Sequence, residues 1–278
     1  MIIDKIYRKN RELFILIFLF TNFVTVQAQT SEILTKAQID GKYFKSYLTD
    51  TKNIIISPTR WTGKKWITAG AVIGGTVLLY QYDKDIQEYF QARQTPLGKD
   101  ISKHVFEPMG SGVYSLPAMA LFYGQGLIWK NERSKKVALM GIKAYLLSGF
   151  LVTFSKILFN RHRPYHDNPA NPQIWEGPSL PLYKSFPSGH TTTVFAIAAV
   201  VATEYKETIW VPIVSYSLTG LAGISRMYYN KHWSSDVFFA AAFGWSIGKL
   251  IQASSKWKIQ TAPMVTPESA GLFLNYKF

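Results

Sequence analysis

The stretch VALMGIKAYLLSGFLVTFSKILFNRHRP, residues 137–164, decides how the rest of the chain is read. Residues 137–159 are almost wholly apolar, and the run is too long for a strand. Ala and Gly dilute its β-branched residues, so it is read as a helix. Lys156 and Arg163 stand seven residues apart, two helical turns, and so share a face. Pro164 is then expected to end the helix, leaving Arg163 at its mouth. Two cations on one face of an apolar helix are costly unless an anion meets them. For this pair alone, snorkelling at a helix end is the alternative.

Five further segments share this character: 66–80, 113–129, 191–203, 209–224 and 237–251. All six are read as helices. Ahead of them, Ile39, Tyr43, Phe44, Tyr47 and Leu48 recur at helical spacing in a polar region. They predict an amphipathic helix lying on a core or on a membrane surface. A polar stretch over 83–109, amphipathic around 86–90 and punctuated by Pro96 and Pro108, separates the first two apolar segments. Between the third and fourth, Pro164, Pro169, Pro172, Pro178, Pro181 and Pro187 fall within 24 residues, and no helix survives that density. A loop of this length is usually functional or disordered. Near the C-terminus, 259–266 and 272–278 flank Pro267 and Gly271 and suggest a short β-hairpin.

Composition narrows the function. The 278 residues carry a net charge of +14, with 47% hydrophobic and 15% aromatic residues, too apolar for a disordered chain. Mean hydropathy of +0.01 is low for a protein made mostly of lipid-embedded helix. The absence of cysteine excludes disulfides, thiolate metal sites and cysteine nucleophiles. The basic surplus predicts an anionic partner: phosphate, acidic lipid or nucleic acid. Nucleic acid fits worst, because the cations are spread over loops and helix ends with no run of five.

Residues 1–28 read as an export signal. Lys5, Arg8, Lys9 and Arg11 precede an apolar run over 13–26, and Val26-Gln27-Ala28 offers a cleavage site. The run is short for a membrane span. Removing it takes away four basic and two acidic residues and leaves +12. The expected division is a leader over 1–28, an amphipathic segment over 29–65, a helical domain over 66–255 and a tail over 256–278. Basic clusters at Arg60, Lys64 and Lys65, at Lys130, Arg133, Lys135 and Lys136, and at Lys249, Lys256 and Lys258 are expected in the cytoplasm by the positive-inside rule. The loops after the third and fifth apolar segments then face outward. A cleaved leader followed by six spans gives the opposite parity. The expectation is therefore an exported bundle, periplasmic-facing and membrane-associated, that need not cross six times.

Two more constellations sit at helix ends. Pro187-Ser188-Gly189-His190 opens the fourth apolar segment, where free backbone N–H groups and the helix dipole favour an anion. Gly189 lets an anion approach the backbone, Ser188 adds a hydroxyl, and His190 is placed to protonate a leaving group. An ordinary N-cap is the plainer alternative. Ser225-Arg226, five residues, His232, three residues and Asp236 close the set. One helical turn separates His232 from Asp236, so the carboxylate can fix and stabilise the imidazole. Capping by Ser234, Ser235 and Asp236 is the alternative here. Taken together, three cations, an anion cradle and two histidines suit phosphoryl transfer without a metal or cofactor.

The combination K-x6-R-P, P-S-G-H and S-R-x5-H-x3-D, complete and in order between Lys156 and Asp236, resembles the type 2 phosphatidic acid phosphatase and vanadium-dependent haloperoxidase superfamily. The resemblance covers the apolar core from Trp66 to Ile251 and implies an all-α fold with a six-helix bundle core. It implies a phosphoric ester hydrolase acting through a phosphohistidine on His232. Asp236 would orient that nucleophile and His190 would be the general acid. Lys156, Arg163, Ser188, Gly189 and Arg226 would hold the phosphate oxygens. His104, His162 and His166 match nothing in the signature and are expected as solvated loop or helix-end histidines, with His166-Asp167 within reach of a substrate.

The leading expectation is a phosphatase for a phosphomonoester or pyrophosphate of a lipid. A soluble broad-specificity acid phosphatase and a vanadate-dependent haloperoxidase share the same site residues. A non-enzymatic binder of anionic lipid or polyphosphate would leave the His232–Asp236 pair unexplained. Nothing in the sequence sets the oligomeric state.

Overall fold

The computed structural model describes residues 37–254 apart from 181, and the backbone of 260–266 and 269–275. The expected leader lies outside the described residues. The chain is an all-α bundle in which each of the six apolar segments is a helix. In chain order the helices are α1 (Gly41–Ile56), α2 (Gly63–Gln81), α3 (Asp83–Ala92), α4 (Pro96–Ile101), α5 (Glu107–Gly110), α6 (Ser115–Ile128), α7 (Glu132–Phe159), α8 (Gly189–Glu204), α9 (Trp210–Tyr228) and α10 (Ser234–Ser254). A π-helical turn, Ser102–Phe106, joins α4 to α5. The strands β1 (Gln260–Thr266) and β2 (Ser269–Asn275) form an antiparallel hairpin with Thr266 opposite Ser269.

Helix α8 is the centre, packed by α7, α9 and α10, with α6 against α7 and α2 against α10. Its small residues allow this. Gly244 and Gly248 of α10, spaced one turn apart, face the carbonyls of Thr192 and Ala196, and a Cβ at either glycine would collide with them. This is the small-residue helix contact that brings backbones together. Val137, Ala138 and Ala144 of α7, Ala196 and Val200 of α8, and Ile247 and Ile251 of α10 make the core.

Helix α1 begins where Asp40 accepts the N–H of Tyr43 at 2.8 Å. One of its faces packs on the bundle. Tyr43 donates to the Leu139 carbonyl at 2.9 Å, and buried Asp50 pairs with Lys143 at 2.8 Å. Phe44 and Leu48 on the other side are exposed, as the amphipathic pattern requires.

Helix α7 departs from expectation at its end. Asn160, with φ of 43°, stops it four residues before Pro164. Asparagine tolerates the left-handed conformation, and the proline loop holds its side chain. Its Nδ2 donates to the Ser179 carbonyl at 3.1 Å and its Oδ1 accepts from the Tyr183 N–H at 2.7 Å. Arg163 therefore lies beyond the helix and not on its last turn.

The outside of the bundle is apolar. Trp66, Ile67 and Leu78 of α2 and Phe150 and Phe154 of α7 are exposed. Among the described residues α7 and α10 are long and apolar enough to cross a membrane, and α7 measures about 42 Å.

The glycine contacts give a stability test. Gly244→Ala drives a methyl group into the α8 backbone and is expected to cost ~1–3 kcal/mol. Gly74 has open space around it, so Gly74→Ala is expected to be neutral or stabilising. Melting temperatures of both variants in detergent, followed by tryptophan fluorescence, check the packing.

Candidate active site

The site forms where the end of α7, the start of α8, the end of α9 and the start of α10 meet. The proline loop folds around the residues after Asn160. The His162 N–H donates to the Ile174 carbonyl at 3.1 Å, and the Ser185 N–H donates to the Arg161 carbonyl at 3.0 Å. Arg161 points inward and is completely buried. Its guanidinium reaches Asp236 at 2.6 Å on one side and Asp83 at 2.7 Å on the other. Asp83 also accepts the Ser234 hydroxyl at 2.6 Å and the Ser235 N–H at 2.9 Å. One buried cation thus ties the first turn of α3 to the first turn of α10.

Each residue of the sequence pattern can be placed on this frame. Lys156, in the last turn of α7, donates to the Lys184 carbonyl at 2.5 Å, and Arg163 donates to the same carbonyl at 3.3 Å. That shared acceptor brings the two cations together although the helix has ended between them. Ser188 is the N-cap residue of α8, and its N–H donates to the Asp236 carbonyl at 3.3 Å, joining the starts of α8 and α10. The Ser188 hydroxyl meets Thr191 Oγ1 at 2.9 Å. A Cβ on Gly189 would lie 3.7 Å from Lys156 Cε, an ordinary contact, which places the lysine beside the helix N-terminus. Arg226, in the last turn of α9, is buried. Its carbonyl accepts the N–H groups of Lys231 and His232 at 2.8 and 3.3 Å. His232 accordingly lies in the turn before α10, which starts at Ser234, and not at the helix start itself.

The electrostatics show the convergence. Burial, Arg226, Lys156 and Arg163 push the His190 imidazole down to about 3. Burial and the same three cations, with His190 added, hold His232 well below its usual value. Three buried polar atoms, His190 Nε2, His232 Nδ1 and Arg226 Nε, have no hydrogen-bond partner among the described residues. Each such atom costs about 1–3 kcal/mol; His232 Nδ1 is turned toward Asp236, whereas an oxyanion bound among the cations could meet His190 Nε2 and Arg226 Nε.

Asp236 combines the two roles read from the sequence. Its Oδ2 accepts the Trp233 N–H at 3.0 Å, the reach-back of a helix cap, and the Ser185 hydroxyl at 2.6 Å. His232 Nδ1 stands 3.6 Å from the same oxygen. That is beyond hydrogen-bond length, so Asp236 faces the imidazole as a charge and not as a bonded partner.

Several residues escape the sequence reading. Arg161 and Ser185 hold Asp236, and Asp83 holds Arg161, yet all three lie outside the quoted signature residues. Ser234 and Ser235, expected as caps, bind Asp83 instead. His162 is not solvated: it is buried, stacks on Tyr183 with centroids 3.6 Å apart, and meets Asp167 at 3.0 Å. His166 is exposed in the loop, and His104 lies in the π-helical turn near Asp100 at 3.8 Å. Gly110 abuts His190, where a Cβ would collide with the ring. Among the described residues no three His, Asp or Glu side chains gather as a metal-ligand set.

Two predictions come from this geometry. Arg161→Ala leaves two buried carboxylates unpaired and is expected to destabilise by ~3–5 kcal/mol, read as a lowered melting temperature. Both imidazoles have folded pKa values below the unfolded value of about 6.5, so the unfolded chain binds protons that the folded one does not. Stability is therefore expected to be lost as pH falls below about 6.5. His190→Gln should flatten that loss in melting temperature measured against pH.

The chain is similar to proteins already known. Residues 138–260 match the family model of the PAP2 superfamily. The chain is 30% identical over 180 residues to a lipid A 1-phosphatase of Porphyromonas gingivalis, covering 64% of this chain but only 36% of that protein. It therefore spans little more than a third of that relative's length. It is 29% identical over 204 residues to a lipid A 1-phosphatase of Rhizobium johnstonii, covering 67% of this chain and 78% of the relative. With the bacitracin transport permease protein BcrC of Bacillus licheniformis it shares 30% identity over 151 residues, 53% of this chain and 70% of the other. The matched region holds the three cations, both site histidines and Asp236, and on this ground the chain belongs to the PAP2 superfamily.

Proposed function

We propose that the protein is a metal-independent phosphatase that hydrolyses a phosphomonoester or pyrophosphate of a lipid through a phosphohistidine on His232. The observation that carries this reading is the convergence of Lys156, Arg163 and Arg226 on two imidazoles whose buried nitrogens lack partners. Three fixed cations neutralise the phosphoryl oxygens, and the α8 N-terminus adds backbone donors. Nδ1 of His232 faces Asp236, which leaves Nε2 to attack phosphorus. As the P–N bond forms, the P–O bond to the leaving group breaks and that oxygen takes the proton of His190. Water then attacks phosphorus, gives its proton to His190 and releases phosphate and the free imidazole.

His190 has to be protonated for the first step, yet the cations hold it down to about 3 in the unliganded site. A bound phosphate dianion opposes those charges and raises it. Substrate binding and the readiness of the acid are thereby coupled. Exposed Phe150, Phe154, Ile157 and Phe159 occupy the turns of α7 that also carry Lys156. This apolar surface beside the cations favours a lipid phosphate over a soluble ester, with the protein attached to a membrane and its site outward. The lipid A 1-phosphatase relatives support the same substrate class. Periplasmic exposure follows from the expected leader and the basic flanks.

Phosphate release from lipid phosphates in mixed micelles tests the reading. Turnover is expected to persist in EDTA and to vanish in His232→Ala. Activity abolished by EDTA and restored by a divalent metal would contradict the mechanism. His190→Ala is expected to lose about 10²–10⁴-fold on an alkyl phosphate and far less on a nitrophenyl phosphate, whose leaving oxygen needs no proton.

A further inference from the structure

Behind His190 stands a segment to which the phosphatase reading gives no part. After α4 the chain makes the π-helical turn Ser102–Phe106 and then the short helix α5. Both elements pack on α9, and α5 also packs on α8. The segment is braced from within. The Tyr114 hydroxyl donates to the His104 carbonyl at 3.0 Å, the Tyr114 N–H to the Pro108 carbonyl at 3.0 Å, and the Ser115 hydroxyl to the Met109 carbonyl at 2.9 Å. The chain leaves α5 through Gly112, whose φ of 88° lies in the region that favours glycine. A Cβ there would also meet the Tyr145 hydroxyl of α7. The segment is thus wedged between α7 and the start of α8.

Gly110 is its point of contact with the site. A Cβ there would lie 2.5 Å from His190 Cβ, 2.7 Å from Cδ2 and 2.8 Å from Cα. A methyl group at Gly110 would push the imidazole, or the whole first turn of α8, out of place. Thr193, buried one turn along α8 from His190, fastens this contact. Its hydroxyl lies 3.0 Å from the Gly110 carbonyl, 3.0 Å from the His190 carbonyl and 3.2 Å from the Gly189 carbonyl. The one hydroxyl therefore joins the α5 backbone to the helix turn that carries the imidazole. Nε2 of His190, by contrast, is buried with no hydrogen-bond partner among the described residues. No bond at that nitrogen aims the ring, and its direction is left to packing against Gly110.

We infer that Gly110 and Thr193 are positioning residues for His190. The glycine sets where the imidazole lies against the α5 backbone, and the threonine locks that backbone to the turn bearing the imidazole. This rests on the proposed role of His190 as acid for the leaving group. An acid works only within hydrogen-bond reach of the oxygen it protonates, and a displacement of about 1 Å in a site can cost about 10²-fold. Loosening the contact therefore slows the reaction in proportion to how much the leaving group needs its proton.

The test measures kcat/KM of the full-length protein in detergent micelles on an alkyl phosphate and on a nitrophenyl phosphate, since kcat/KM covers the step in which the leaving group departs. His190→Ala sets the reference for a missing acid. Gly110→Ala is expected to lose about 10–100-fold on the alkyl phosphate and to stay within about threefold on the nitrophenyl phosphate. Thr193→Val keeps the shape and removes the hydroxyl. It is expected to lose about three- to tenfold on the alkyl phosphate alone, and Thr193→Ser, which restores the hydroxyl, to recover the wild-type ratio of the two substrates. Thr193→Val adds no bulk, so it reads the contact even where Gly110→Ala does not fold. Gly74→Ala, with open space around it, controls for the loss of a glycine and is expected to keep that ratio. Equal losses on both substrates in Thr193→Val, no loss on either, or no recovery in Thr193→Ser overturn the positioning role while leaving the phosphatase reading in place. Equal losses on both substrates in His190→Ala overturn the acid role itself, and the inference with it.

Discussion

A guanidinium removed from water must be met by negative charge, and Arg161 is met twice, by Asp83 and by Asp236. All three side chains are fully buried. Removing Arg161 leaves two uncompensated carboxylates in the interior, which costs far more than the intact array contributes. The array therefore acts less as a source of stability than as a constraint on geometry. It allows one relative placement of α3, the proline loop and α10. Tyr80, Trp175 and Trp233 surround the guanidinium with aromatic faces, 4.8 to 5.4 Å from their centroids, and keep water out.

The placement of the site follows from that constraint. Asp236 spends one oxygen on Arg161 and the other on Ser185 and Trp233. In the proposed mechanism its position is set before any charge develops on His232. The Ser188 N–H, bonded to the Asp236 carbonyl, carries the same positioning to the start of α8, and the single carbonyl of Lys184 gathers Lys156 and Arg163. Rigid donors fixed in advance are what make an oxyanion site effective, because no reorganisation is needed as charge moves. The glycine contacts between α8 and α10 hold the two helix starts close enough for this to work.

The helices were legible in the sequence because their apolar runs are long and their ends carry Pro, Ser and Asn. The candidate site residues form a spaced pattern in the sequence, and the structure brings the members of that pattern together. The end of α7 was misplaced because Pro164 is the stronger breaker on paper, although Asn160 is itself a helix-ending residue. Arg161 stayed hidden within the unspecified positions between Lys156 and Arg163, where an arginine at a helix end reads as solvated. Asp83 looked like an ordinary first-turn acid of α3. Its partners lie 78 and more residues away, and no local pattern reports such a pairing. His162 was misread for the same reason: a histidine between two arginines reads as exposed until the loop closes over it.

The central claim is that this frame presents His232 as the nucleophile. The most direct measurement is a rapid-mixing experiment with a lipid phosphate labelled in its phosphoryl group. It would be quenched in base, where a phosphorus–nitrogen bond survives, and the labelled peptide then identified by mass spectrometry. The account predicts transient label on the peptide containing His232, formed no more slowly than turnover and absent from His232→Ala. Label on another side chain, or turnover in which water attacks phosphorus directly with no labelled protein at any time, would contradict it.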